Sequence, residues 1–194
     1  MIQTTHDIRD QAGAQMNQVD TRGDNGRVRA LRICVLGLGG GGFHWEAQRI
    51  IGAIDRPLEL VLIFAGPAGG LRYWTTDDAV VAEHIVRSPS LTGDGAVVKA
   101  MRVLGNIVQA VRILRKERPD ITLGVGTAQA VPFGIAARIL GRELWYAESI
   151  TRMRMPCRTT MIMRRFKLAR RIYFFSKDLK EYIPDGICME EAEQ

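Results

Sequence analysis

The sequence predicts an α/β fold: one domain built on a Rossmann-like parallel sheet with helices on both faces. Three observations predict it. Short, continuous apolar runs alternate with longer stretches of helical spacing. A glycine-rich turn separates the first run from the first helical stretch. The 194 residues are enough for one sizeable core and too few for two full domains. None of the strand candidates shows the in-out alternation of a sheet wetted on one face, so helices should cover both faces. Crossovers between parallel strands are right-handed.

Residues 1–28 are rich in Gln, Asn, Asp, Thr and Gly with almost no apolar periodicity, and are expected to form a mobile or loosely docked tail. The domain is expected over 29–183. Leu31–Leu36 is the first strand, and Phe43–Ile54 the first helix, with Ala47, Ile50, Ile51 and Ile54 at helical spacing. Leu58–Phe64 is a second buried strand, ended at Gly66-Pro67-Ala68-Gly69-Gly70. The stretch 72–94 shows only a short strand at Glu83–Val86.

From Gly95 to Arg118, Val97, Met101, Leu104, Val108, Val111 and Leu114 recur at intervals of three and four, which predicts a long amphipathic helix. Its cationic end complements the helix dipole, and Pro119 stops it. Strand Ile121–Val125, helix Ala130–Leu140 closed by Gly141, and strand Leu144–Ala147 follow. A basic helix at Thr159–Ala169, a last strand at Ile172–Phe175 and a helical turn at Asp178–Tyr182 complete the order, with 184–194 a polar C-terminal tail.

No stretch approaches 18 uninterrupted apolar residues and the start is polar, so neither a membrane-spanning helix nor a secretory signal is expected, and the default location is cytoplasmic. Cys34, Cys157 and Cys188 are odd in number and far apart, with no CxxC pair, which argues against a disulfide framework and a structural metal site. The net charge is +6, and it is concentrated. Eight cations and no acid lie between Arg152 and Arg171, so the rest of the chain is net acidic. Such a patch attracts phosphate, whether of nucleic acid, anionic lipid or a nucleotide-linked substrate, unless it is merely a solvated helix face.

Ligands of doubly wound sheets bind beyond the carboxyl ends of the strands. The turns at Gly37–Glu46, Gly66–Gly70, Gly124–Gln129 and Glu148–Arg154 should therefore converge on one rim. Gly37 to Gly42 satisfies G-x-G-x-x-G between a strand and a helix, and glycines there let backbone N–H groups approach an anion at the helix start. An NAD site also needs an acid at the end of the second strand, where Ile63-Phe64-Ala65-Gly66 has none, so an NAD-dependent oxidoreductase is the weaker reading. The Gly-Lys-Ser/Thr of a nucleotide triphosphate loop is absent.

The segments Pro119–Pro132 (PDITLGVGTAQAVP) and Leu144–Arg152 (LWYAESITR), with the glycine turn and Val86-Arg87-Ser88-Pro89, resemble the PssD/CpsF family of polysaccharide biosynthesis proteins. That family is related to the membrane-anchoring subunit of the dolichol-pathway UDP-N-acetylglucosamine transferase. The resemblance covers about 31–183. It implies the N-terminal half of a MurG-like GT-B glycosyltransferase, whose nucleotide-sugar site, UDP-linked by expectation, lies mostly in a separate PssE/CpsG-like donor-binding subunit. The pair would act on a polyprenyl-diphosphate-linked saccharide at the inner face of the cytoplasmic membrane, with no cofactor beyond the sugar donor and no metal.

Residue by residue, Gly41 and Gly42 match the family's Gly-Gly, Glu46 matches its following acid, and Glu148 and Arg152 match its Glu-Ser-x-x-Arg. Thr127–Pro132 matches its strand-to-helix loop. The family's histidine directly after Gly-Gly falls on Phe43, with His44 one place later and so turned by about 100° at a helix start. Arg170-Arg171 stands where the family has an acid.

Sugar transfer needs a base for the acceptor hydroxyl and donors or cations for the phosphate charge. Glu148, Glu46 and His44 are the candidates for proton transfer. Gly39, Gly40, Gly41, Gly42, Gly126, Thr127 and Arg152 are the candidates for substrate binding. Glu148 and Arg152 can equally form a structural ion pair, and His44 can be a capping or surface residue. Arg158, Arg164, Arg165 and Lys167, interspersed with Met155, Met161, Ile162, Met163, Phe166 and Leu168, suit an anionic membrane surface, unless those apolar residues face the core. Aromatic interleaving and any nucleic-acid motif are lacking, so no nucleic-acid partner is expected. The competing reading is a non-catalytic membrane scaffold that activates a partner transferase.

Overall fold

The computed structural model describes residues 29–38, 42–66, 79–87 and 95–189. The stretch expected as an N-terminal tail, Gly39–Gly41 of the glycine turn and most of the Gly66–Gly70 turn lie outside them.

Seven parallel strands form one sheet: β1 (Leu31–Leu38), β2 (Leu58–Ala65), β3 (Ala79–Val86), β4 (Ile121–Val125), β5 (Glu143–Ala147), β6 (Arg171–Phe174) and β7 (Ile187–Cys188). Their spatial order is β3-β2-β1-β4-β5-β6-β7. The connection reverses direction between β1 and β4, which are hydrogen-bonded neighbours, and crevices at such a reversal are where doubly wound sheets hold ligands. Among the described residues four α-helices, α1 (Phe43–Ile51), α2 (Ala96–Glu117), α3 (Ala130–Ile139) and α4 (Arg158–Arg165), and a 3-10 helix at Lys177–Glu181 accompany the sheet.

β1, β2 and β4 are nearly all buried, as continuous apolar runs demand. Their residues divide between two cores. Leu31, Ile33 and Val35 pack under α1 with Ala47, Ile50 and Ile51. Cys34 and Leu36 face Ala110, Leu114, Phe133 and Ala137 of α2 and α3. The same alternation splits β5, sending Trp145 to the first core and Tyr146 to the second.

Several boundaries move. β3 extends over Ala79–Val86, longer than its apolar signal, because it pairs only with β2 at the sheet's edge and most of its side chains meet solvent. The basic helix stops at Arg165, since Lys167 takes a left-handed conformation and the N–H of Leu168 turns back to the Met163 carbonyl at 2.8 Å. The expected C-terminal tail is corrected in part: beyond Ile183 the chain re-enters the sheet as β7, and Cys188 and Met189 are buried. Two residues of strand are too short for periodicity to reveal.

Candidate active site

Because all seven strands are parallel, the turns after β1, β4 and β5 open on one rim. Contacts between them are close. Gly126 adopts φ +58°, and a Cβ there would lie 2.5 Å from the Phe43 ring and 3.3 Å from Ser149 Cβ. Gly37 adopts φ +84°, and a Cβ there would lie 2.5 Å from Thr127 Cβ. Glycine at these two positions is what lets the three turns touch. Phe43, which stands where the resembled family has histidine, is thus a packing residue over Gly126. Gly42 precedes α1 as its N-cap with no side-chain cap, while Gly39, Gly40 and Gly41 lie outside the described residues.

Glu46 and Glu148 come from different turns and meet through Ser149. The Ser149 hydroxyl donates to Glu46 Oε1 at 2.8 Å, and the Ser149 backbone N–H donates to Glu148 Oε1 at 3.0 Å. Ser149 Oγ also lies 3.0 Å from Thr151 Oγ1.

Glu148 is 1% exposed, and both of its oxygens are engaged. Oε2 accepts from the Cys157 N–H at 2.7 Å and from the Thr160 hydroxyl, at the start of α4. A carboxylate there also meets the positive end of the helix. This geometry fits an anchor that ties the 148–160 loop to α4.

Glu46 is also buried, but its Oε2 has no hydrogen-bond partner among the described residues. Burial raises its pKa above the ordinary 4.5 and nearby Glu148 adds to the rise, against the lowering hydrogen bonds from Ser149 and Ile150. His44 is half-buried with its ring 4.9 Å from that of Trp45.

Arg152 is exposed on the same loop, its N–H donating to the Ser149 carbonyl at 2.9 Å. The alternative Glu148–Arg152 ion pair is not formed among the described residues. Thr127 is buried, and its hydroxyl accepts from the Gln129 N–H at 3.3 Å. Gln129 is the residue the sequence reading did not single out: it is 2% exposed at the start of α3, and neither polar atom of its amide has a partner among the described residues. Polarity in a rim loop was its only signal.

The candidate membrane residues are dispersed. Arg158 opens α4 at the rim, whereas Arg164, Arg165 and Lys167 stand at its far end, beside the start of β6. Met155, Met161, Ile162 and Phe166 are exposed, but Met163 and Leu168 are core residues. A second apolar surface stands on α2, where Val97, Met101, Leu104 and Val108 are 74, 69, 62 and 51% exposed. No helix among the described residues is long and apolar enough to cross a membrane, and no group of three or more His, Cys, Asp or Glu there could hold a metal ion. β2 ends in Phe64-Ala65 without the acid that an NAD ribose needs.

No protein-family model matches the sequence. The chain is 26% identical over 140 residues to a UDP-N-acetylglucosamine--N-acetylmuramyl-(pentapeptide) pyrophosphoryl-undecaprenol N-acetylglucosamine transferase of Syntrophus aciditrophicus, covering 70% of this chain and 38% of that protein. The protein of the same name from Methylococcus capsulatus is 34% identical over 118 residues, 59% of this chain and 33% of its own. This chain is similar in sequence to lipid-linked sugar transferases. It spans between a third and two-fifths of the length of these relatives. Acinetobacter baumannii MurG shares the fold with a TM-score of 0.54 at 16% identity, over 76% of this chain and 42% of that one. UDP-N-acetylglucosamine 2-epimerase from Rickettsia bellii does so with 0.57 at 16% identity, over 84% and 43%. The architecture is therefore the Rossmann-like α/β half found in GT-B proteins.

Proposed function

We propose that this chain is the acceptor-binding half of a two-component glycosyltransferase of the PssD/CpsF type, working on a polyprenyl-diphosphate-linked saccharide in exopolysaccharide or capsule assembly. The observation that carries the proposal is the junction of three rim turns, at which Glu46 is held by Ser149, in a chain similar to undecaprenol-linked sugar transferases. A donor-binding subunit would supply the opposite wall of the cleft and hold the UDP-sugar.

In this reading the acceptor hydroxyl attacks the anomeric carbon of the donor with inversion. The new C–O bond forms as the bond to the nucleoside diphosphate breaks, and the hydroxyl proton passes to the Glu46 carboxylate, whose Oε2 is closed to solvent here and has to open to the rim as the acceptor and the donor-binding subunit bind. A buried carboxylate with a raised pKa and one unpartnered oxygen suits that role. Ser149 holds the other oxygen, and Glu148 acts by fixing the loop that carries Ser149 and Arg152. The N–H groups at the start of α1, the Gly126–Thr127 turn and Arg152 would hold the diphosphate. Gln129, an orphaned amide at the start of α3, would gain partners from a bound acceptor.

Membrane docking at the cytoplasmic face is part of the proposal, with α2 as its chief element. Among its described side chains none before Asn106 is buried, and Val97, Met101 and Leu104 offer an exposed apolar stripe. Arg158 and Arg152 add charge near the rim.

The test is reconstitution of the full chain with a copurifying donor-binding subunit, a polyprenyl-diphosphate acceptor and a panel of sugar nucleotides. Transfer should require both chains. Glu46→Gln should lower kcat by about 10²–10⁴ with the complex intact. Unchanged transfer in Glu46→Gln would favour the scaffold reading, which the replacement of the family's histidine by a packing residue, Phe43, also supports.

A further inference from the structure

On the edge of the sheet opposite the rim, a cavity of about 480 Å³ opens between the ends of α3 and α4 and the starts of β5 and β6. Its volume falls in the range of small-molecule sites. Leu168 and Ile172, each 8% exposed, reach its floor, with Leu144 and Met163 sealed behind them. The mouth is cationic, with Arg138, Arg142, Arg164, Lys167 and Arg170. Two carboxylates, Glu143 and Asp185, face them, so the lining is net positive.

Helix carboxyl ends ordinarily repel anions, but here they are already covered. Arg138 Nη1 donates to the Phe166 carbonyl at the end of α4 at 2.7 Å, and the Arg142 N–H donates to the Ala137 carbonyl of α3 at 2.8 Å. Arg142 Nη1 donates to the Pro119 carbonyl at 3.0 Å. A guanidinium carries five N–H donors, so each arginine keeps others for a ligand. Arg164 pairs with Asp185 at 2.7 Å, and Arg170 stands 3.8 Å from Glu143. No carboxylate among the described residues lies within ion-pairing distance of Lys167. The hydrogen bond from Arg164, with further attraction from Arg164 and Lys167, holds Asp185 below its ordinary pKa.

Lys167, like Arg118 after α2, has a left-handed backbone. It occupies φ +50°, the left-handed position after a helix end that glycine normally fills. A side chain there costs stability that glycine would not.

We propose that this cavity is a binding site for a phosphate-bearing small molecule, distinct from the rim, with the cations taking the phosphate and the exposed edges of Leu168 and Ile172 meeting the organic part. The inference does not rest on the transferase reading, since it uses no rim residue.

The test uses the full 194-residue chain and two probes at constant ionic strength: inorganic pyrophosphate, and vesicles of phosphatidylglycerol against phosphatidylcholine. Saturable pyrophosphate binding should shift the amide resonances of Gly141, Arg142, Lys167 and Leu168. Lys167→Gly should fold better than the native chain, raising Tm by about 2–4 °C for each kcal/mol relieved, while weakening pyrophosphate binding at least tenfold. Arg170→Gln should weaken it without that gain. Shifts confined to Gly42, Gly126 and Thr127, or equal affinity in all three proteins, would place the anion elsewhere and overturn the proposal. So would loss of vesicle binding in Lys167→Gly with no pyrophosphate binding in the native chain, which would make the cations a lipid contact. Absence of saturable binding by either probe overturns it as well.

Discussion

Two buried carboxylates 102 positions apart in the chain end on either side of one serine, and their surroundings give them opposite characters. Glu148 is surrounded by donors. Truncation in Glu148→Ala leaves the Ser149 and Cys157 N–H groups and the Thr160 hydroxyl unmatched, and should destabilise the protein by about 2–4 kcal/mol in urea unfolding, with Arg152 and Ser149 displaced from the rim. Glu46 has fewer donors and a raised pKa. A carboxyl easier to ionise unfolded than folded favours the folded state while protonated. Its contribution is complete below the ordinary 4.5 and is lost as pH rises through the raised folded value. Unfolding free energies measured across that window should therefore fall with pH in the native chain, and Glu46→Gln should remove that component.

At the level of elements, the fit between turns rests on absent side chains. Gly126→Ala adds a methyl group against the Phe43 ring at a left-handed backbone position. We expect a loss above about 2 kcal/mol in the native background. In a Phe43→Ala background the clash is gone and only the backbone cost of about 1–2 kcal/mol should remain, so a double-mutant cycle should reveal coupling. The helices divide their labour. α1 and α3 bury most of their residues, whereas α2, about 33 Å long by its rise, buries side chains only from Asn106 onward among those described. That asymmetry reconciles a regular apolar spacing with a largely exposed stripe.

For the whole molecule, the parallel sheet separates two chemistries on opposite edges, acids and glycines at the rim and cations at the far end of α4. If α2 docks on a bilayer, Met101→Glu with Leu104→Glu should abolish cosedimentation with phosphatidylglycerol vesicles while leaving thermal stability nearly unchanged, because both side chains are exposed. Arg165→Glu, at the far end of α4, should have a much smaller effect. The reverse ranking would return docking to the basic helix.

Sequence determined the alternation of elements, the parallel sheet and the convergence of turns on one rim, because continuous apolar runs and glycine stops are local signals of global burial. It also singled out Glu46, Glu148 and Arg152 as candidates. Tertiary structure alone decided their surroundings: that Glu148 accepts from Ser149, Cys157 and Thr160, that Glu46 Oε2 has no partner among the described residues, and that Phe43 covers Gly126. It likewise decided that β7 completes the sheet and that the apolar stripe of α2 is largely exposed. The physical reason is range. Periodicity reports whether a residue is buried, while hydrogen-bond partners and cavities arise between segments a hundred positions apart, which no local pattern encodes.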